Sequence, residues 1–208
     1  MIVIGVTGSI GMGKSTASAM LRNMGIPVHD SDACVHALLG ASGAGVVPVG
    51  VAFPEAYDKN TNANDRKKLR ALLGSDHAKW DELEKLLHPL VAASQQDFIN
   101  DQRSKGVQMV ALDIPLLFET GAQARCDHTV VVSAPEFIQH QRVLQKMSAE
   151  DFAFRLSRQM PDAQKRALAD FVVPSGLGMA EMRTALEDVI RKIKGKGNGS
   201  DHLPTYGR

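Results

Sequence analysis

A chain of 208 residues has room for one ordinary domain carrying an insertion. With 44% hydrophobic and 23% charged residues it can bury a sizeable core, which excludes wholesale disorder and collagen-like or coiled-coil composition. Its 24 Lys and Arg offset 23 Asp and Glu to a net charge of +1, so it lacks the polyelectrolyte bias of a histone-like nucleic-acid binder.

MIVIGVT opens the chain as a buried strand, a short β-branched apolar run stopped by Gly8, Gly11 and Gly13. A helix is expected to open near Gly13 and run to Gly25, where glycine suits the position after a C-cap. Residues 26–29 then complete a βαβ unit as a second parallel strand. From Asp32 the run ACVHALL reads as a short helix, followed by a Gly/Ala/Pro-rich region and polar DKNTNAND. Helical patterns begin at Asp65 and at Ser75, the latter read as an N-cap, with Leu83, Leu86, Leu87, Leu90 and Val91 at helical spacing. His88-Pro89 falls inside that pattern, where proline is expected to kink or break the helix. Residues 33–106 are far longer than a bare crossover and are read as a mostly helical, substrate-binding insertion.

Residues 107–112 form the third expected strand, ending in Asp113, and 129–132 the fourth, ending at Ser133 and Pro135. Residues 136–169 read as a basic helical hairpin, a lid carrying Arg142, Lys146, Arg155, Arg158, Lys165 and Arg166. Its charges equally fit a solvated helix face. A short strand at 171–173 precedes a last helix from about 179 to 194, and the polar segment 195–208 is expected to be a disordered tail. The nucleotide-binding core is thus 1–32, 107–135 and 170–194. Cys34 and Cys126 sit in no CxxC or zinc-spaced cluster, and the first cation, Lys14, follows the apolar start, the reverse of a signal peptide. No apolar run is long enough for a bilayer, and a cytoplasmic, reducing location is expected.

Gly8-Ser9-Ile10-Gly11-Met12-Gly13-Lys14-Ser15 satisfies G-x-x-x-x-G-K-[ST] between an expected strand and helix. Glycines let backbone N–H groups turn inward around phosphate oxygens, Lys14 reaches the β and γ phosphates, and Ser15 offers its oxygen to Mg²⁺. Asp30 and Asp32 follow the second strand, where loops converge on a ligand crevice. Either could accept a hydroxyl proton or hold Mg²⁺ through water, and Asp32 also stands where a helix cap belongs. Asp113 is a Mg²⁺–water ligand of Walker-B type or an ordinary strand-end aspartate turning into Pro115.

Together these residues resemble the dephospho-coenzyme A kinase family, over residues 2 to about 193. The resemblance rests on TGSIGMGKST, Asp30-Ser31-Asp32 with His36 four residues on, DRKKL at 65–69, LLHPLV at 86–91, DIPLLFE at 113–119, Gln139 and Arg142 with Gln159 beyond, and Ala169-Asp170. It implies an α/β, three-layer P-loop kinase core with a parallel five-stranded sheet, a helical substrate-binding insertion and a helical lid. It implies phosphorylation of the ribose 3′-hydroxyl of 3′-dephospho-CoA by ATP, the last step of coenzyme A biosynthesis. In that likeness residues Gly8, Ser9, Ile10, Gly11, Met12, Gly13, Lys14, Ser15 and Thr16 hold the nucleotide, and Asp32, Lys14 and Arg142 are catalytic. Asp32, His36, His88, Pro115, Leu116 and Glu119 lie near the dephospho-CoA site, while Ser15 and Asp113 serve Mg²⁺, the cofactor taken with ATP. ATP and 3′-dephospho-CoA are the expected partners, without nucleic acid or membrane, for a monomer or weak homo-oligomer. The chain departs from the pattern at Phe53-Pro54, where Phe-Gly is usual, at Lys146, where a second lid arginine often lies, and at Pro174-Ser175-Gly176, where Asn commonly precedes glycine. Another small-molecule P-loop kinase, or a P-loop nucleotide switch without phosphoryl transfer, are the competing readings; no N-K-x-D or L-S-G-G-Q appears.

Overall fold

The computed structural model describes residues 1–197. Five strands form one parallel sheet: β1 (Ile2–Thr7), β2 (Val28–Asp30), β5 (Met109–Asp113), β6 (His128–Ser133) and β7 (Phe171–Pro174), in the order β2-β5-β1-β6-β7. Alternation along each central strand divides its side chains between two faces, because successive Cβ atoms point to opposite sides. Ile4, Val6, Met109, Ala111, Val130 and Val132 face one layer, formed by α1 (Lys14–Asn23) and α9 (Met179–Gly197), which contribute Leu21, Leu186 and Ile193. Val3, Val110, Leu112 and Val131 face the other, where Ile99, Leu117 and Phe118 cover them. Burial on both faces is why these strands read as continuous apolar runs. The three-layer α/β architecture with five parallel strands is therefore as expected. Register aligns Asp30 of β2 and Val6 of β1 with Asp113 of β5, so the carboxyl ends of three strands open at one edge.

The insertion has its own core, built from Leu39, Val49, Phe53, Leu69, Leu73, Leu83 and Leu87. It comprises α2 (Ser31–Leu39), α3 (Val46–Ala52), a two-stranded hairpin of β3 (Tyr57–Asp58) and β4 (Ala63–Asn64), α4 (Arg66–Leu73) and the first half of α5 (His77–Ser104). Helix α3 lies in the Gly/Ala/Pro-rich region and the hairpin at the polar DKNTNAND segment, neither of which sequence assigns to an element. Pro48 and Gly50 are poor helix formers, but buried Val49 and a bond from Asn64 Nδ2 to the Val46 carbonyl at 3.1 Å hold α3 in place.

Several expectations are corrected. Asp76, not Ser75, caps α5: its Oδ1 accepts from the Ala78 and Lys79 amides at 3.0 and 3.3 Å, the reach of an N-cap side chain. Pro89 does not end α5, which runs 28 residues through it. Proline removes one hydrogen bond, and the turns on either side are anchored by buried Leu87 and Gln95. Residues 136–169 form three short helices rather than a hairpin: α6 (Glu136–Leu144), α7 (Ala149–Ser157) and α8 (Asp162–Leu168). Ser148 restarts the chain as the cap of α7, its Oγ accepting from the Asp151 amide at 3.1 Å, and Pro161 precedes α8. Helix α9 continues past residue 194 to Gly197, and the rest of the expected tail lies outside the described residues. No helix among the described residues is long and apolar enough to cross a membrane.

Candidate active site

Above the carboxyl edge of the sheet lies a cleft of about 780 Å³, walled by the loop after β1, the start of α2, the lid helices and the segment after β7. Residues 8–13 form its floor. A Cβ on Gly8 would sit 2.6 Å from the Val132 carbonyl oxygen, and Gly13, at φ 91°, turns the chain into α1 with no side-chain cap. Among the described residues, the amides of Gly11, Gly13, Lys14 and Ser15 have no acceptor in the protein. These donors, the uncapped helix end and the buried, unpartnered Ser9 hydroxyl make an anion cradle. The Ile10 amide is different: it donates to Gln159 Oε1 at 3.0 Å, while Gln139 Nε2 donates to the Ile10 carbonyl at 2.7 Å. Two lid glutamines therefore grip the loop at one residue from both sides.

Lys14 pairs with buried Asp113, whose other oxygen accepts from Ser18 Oγ at 2.6 Å. Nothing in the glycine pattern singles out Ser18, yet Lys14 and Ser18 are four apart on one helix face, the spacing that signals it. The exposed Ser15 hydroxyl lines the cleft without a partner among the described residues.

The two aspartates after β2 separate cleanly. Asp30 caps α2, its Oδ1 accepting from the Ala33 amide at 3.0 Å, so the helix begins at Ser31 and the capping alternative for Asp32 is removed. Asp32 lies in the first turn, on the cleft wall with Lys14, and makes no hydrogen bond among the described residues. The surrounding protein bulk desolvates its carboxyl and raises its pKa; Asp113 and Asp30 add to that, whereas Lys14 and His36 oppose it. His36 is thus close enough to act on Asp32 electrostatically, but it is exposed and does not line the cleft.

Pro115 and Leu116 wall the main cleft. Beside it lies a smaller cavity of about 430 Å³, bounded by His88, Leu116, Glu119, Asp81, Glu84 and Arg158. Glu84, Leu116 and Arg158 border both, so the two are neighbours that share a wall. Glu119 ties this floor to the lid: its Oε1 accepts from the Met160 amide at 2.7 Å and from Lys165 Nζ at 2.9 Å.

The lid cations are not one solvated face: Lys146 and Arg166 are exposed, but the others are engaged or lie against the cleft. Lys165 is fully buried and also donates to the Pro115 carbonyl at 3.1 Å. Arg142 donates to the Ser175 carbonyl at 2.7 Å, to Ser175 Oγ at 3.1 Å and to the Gly11 carbonyl at 3.4 Å. Ser175, standing where an asparagine was expected, also donates to the Met12 carbonyl at 2.5 Å, joining the segment after β7 to the loop after β1. Arg158 pairs with Glu84 at 2.9 Å and Asp81 at 3.1 Å. Arg155 lines the cleft and makes no hydrogen bond or ion pair among the described residues.

A parallel sheet of this order, with a phosphate-binding loop after its first strand, a helical insertion after its second and a lid before its last, defines a P-loop kinase. The family model for dephospho-CoA kinase matches residues 2–181. The dephospho-CoA kinase of Rhizobium meliloti is 43% identical over 93% of this chain and 99% of its own. A solved structure from Thermus thermophilus superposes with a TM-score of 0.77 at 34% identity, covering 95% of this chain and 98% of that one. The dephospho-CoA kinase from Campylobacter jejuni gives 0.69 at 26% identity, over 95% and 98%. The chain belongs to the dephospho-CoA kinase family, and its place is the final step of coenzyme A biosynthesis.

Proposed function

We propose that the protein moves the γ-phosphoryl of ATP onto the ribose 3′-hydroxyl of 3′-dephospho-CoA, giving CoA and ADP, with Asp32, Lys14 and Arg142 as the acting side chains. The observation that carries this assignment is Asp32: released from capping by Asp30, it lines the cleft with Lys14, within reach of the ammonium's field, and its carboxylate makes no hydrogen bond among the described residues. Loop residues 8–16 receive the triphosphate through their unpaired amides. Lys14 leaves Asp113 to neutralise charge on the β and γ phosphates, and Ser18 keeps Asp113 hydrogen-bonded when it does. Asp32 orients the acceptor hydroxyl and takes its proton late in a loose transition state. Arg142, held against the loop by Ser175 and Gly11, binds the nucleotide under the lid. The acceptor lies along His88, Pro115, Leu116 and Glu119, while His36 acts on Asp32 through its field.

The donor set fits Mg²⁺: the unpartnered Ser15 hydroxyl suits direct ligation, and Asp113, with both oxygens engaged, suits contact through water. Bound there with ATP, the ion would supply neutralisation of the phosphate oxygens. The near-zero net charge supports small-molecule partners over nucleic acid, and unpaired Cys34 and Cys126 support a reducing, cytoplasmic setting. The test is a coupled ADP assay with dephospho-CoA and a set of nucleoside acceptors, with CoA identified by mass. A folded protein that makes no CoA while phosphorylating another alcohol efficiently overturns the assignment.

A further inference from the structure

The lid cations differ in what remains of their binding capacity. Arg142 is bound to Ser175 and Gly11, Arg158 to Asp81 and Glu84, Lys165 to Glu119 and Pro115, and Arg166 lies 3.7 Å from Asp162. Lys146 lines the cleft from the exposed loop before α7. Arg155 alone among the lid arginines lines the cleft with no partner among the described residues.

Its placement follows from the helix that carries it. Asp151, Phe154, Arg155 and the C-cap residue Arg158 recur at three- and four-residue spacing and so share one face of α7 and its cap. Three of the four fasten that face to the insertion. Asp151 pairs with Arg70 at 3.0 Å, Phe154 meets the rings of His77 and Trp80 at 5.0 and 6.3 Å, and Arg158 reaches Asp81 and Glu84. The fourth, Arg155, is held between these anchors, half-buried, lining the same cleft as Lys14 and Asp32 and within electrostatic reach of Asp32. Desolvation lowers its pKa and so does Arg70, while Asp151 and Asp32 oppose them. A guanidinium remains charged at neutral pH. It is therefore a partly dehydrated cation, beside a phosphate cradle, with its donors unspent.

The structure assigns Arg155 as the lid residue that contacts the transferring phosphoryl group. This rests on the phosphoryl transfer proposed above. The three equatorial oxygens carry the charge of the loose transition state, and a planar fork can bridge two of them where an ammonium meets one. Arg142, with its donors shared between Ser175 and the Gly11 carbonyl, acts from the phosphate loop.

The experiment compares the wild-type full chain with Arg155→Ala and Arg155→Lys in CoA formation, with an Arg183→Ala control on the outer helix. Arg155→Ala is expected to lower kcat about 100-fold or more, with KM for ATP and for dephospho-CoA within about threefold of wild type, and Arg155→Lys to recover only part. Inhibition by ADP with aluminium fluoride and dephospho-CoA, which mimics the planar phosphoryl, should weaken by a similar factor. If the alanine variant fails to fold, the lysine variant carries both readouts. A kcat within threefold of wild type overturns the assignment. So does a loss confined to KM for dephospho-CoA, which would put Arg155 on the diphosphate of the acceptor. A wild-type protein that makes no CoA overturns the transfer reaction itself, and the role of Arg155 with it.

Discussion

Asp30 and Asp32, two residues apart at the mouth of β2, divide the two duties that sequence leaves open at this corner: Asp30 caps the helix, and Asp32 lines the cleft without a hydrogen bond among the described residues. Asp32→Asn should therefore lose roughly 10² to 10⁴ in kcat while folding normally. Asp30→Ala should keep most turnover but lose about 1 kcal/mol of stability with its cap. Steady-state kinetics and thermal melts on the two variants check this, and an active Asp32→Asn enzyme would remove Asp32 from catalysis.

The raised pKa of Asp32 has a visible sign in pH. The carboxylate form takes the proton, so the acidic limb of kcat/KM should fall above the ordinary Asp value of about 3.9. That limb should disappear in Asp32→Asn. For stability the sign is opposite to a salt-bridged Asp: the folded state binds the proton more tightly. The contribution is present below the ordinary pKa and is lost as pH rises through the raised one. Asp32→Asn should then melt no lower than wild type at neutral pH, as melts across a pH series will show.

Lys14→Ala should lower kcat by orders of magnitude and also leave Asp113 buried with Ser18 as its remaining partner. We expect a stability loss of about 3 kcal/mol in urea titrations, smaller when Asp113→Ala is combined with it. Lys14→Arg should not restore turnover, because a planar fork does not occupy the place of a compact ammonium.

Lys165→Ala should destabilise the protein by about 3 kcal/mol, since it strands Glu119 in the cavity floor and removes the donor to Pro115. Arg166→Ala, at an exposed pair with Asp162, should cost less than about 1 kcal/mol. Equal urea midpoints for the two variants would contradict the buried strut.

What could be read from sequence is what local chemistry dictates. The phosphate loop was legible because its backbone demands glycine at fixed offsets, and the strands because central parallel strands are apolar on both faces. The choice of Asp76 over Ser75 as a cap turned on one residue, which composition does not resolve. Helix α3 was hidden because its support comes from Asn64, eighteen positions away. The grip of Gln139 and Gln159 on Ile10, the burial of Lys165 and the freedom of Arg155 depend on partners distant in sequence, which a single chain does not reveal.

Helix α5 belongs to two cores at once: Leu83 and Leu87 sit in the insertion, while Ile99 lies under the sheet. At 28 residues it spans roughly 42 Å and stays helical through Pro89. The acceptor wall is therefore bolted to the same frame as the phosphate loop. The span between them works as a fixed gauge for the molecule laid across it, and adjustment falls to the lid.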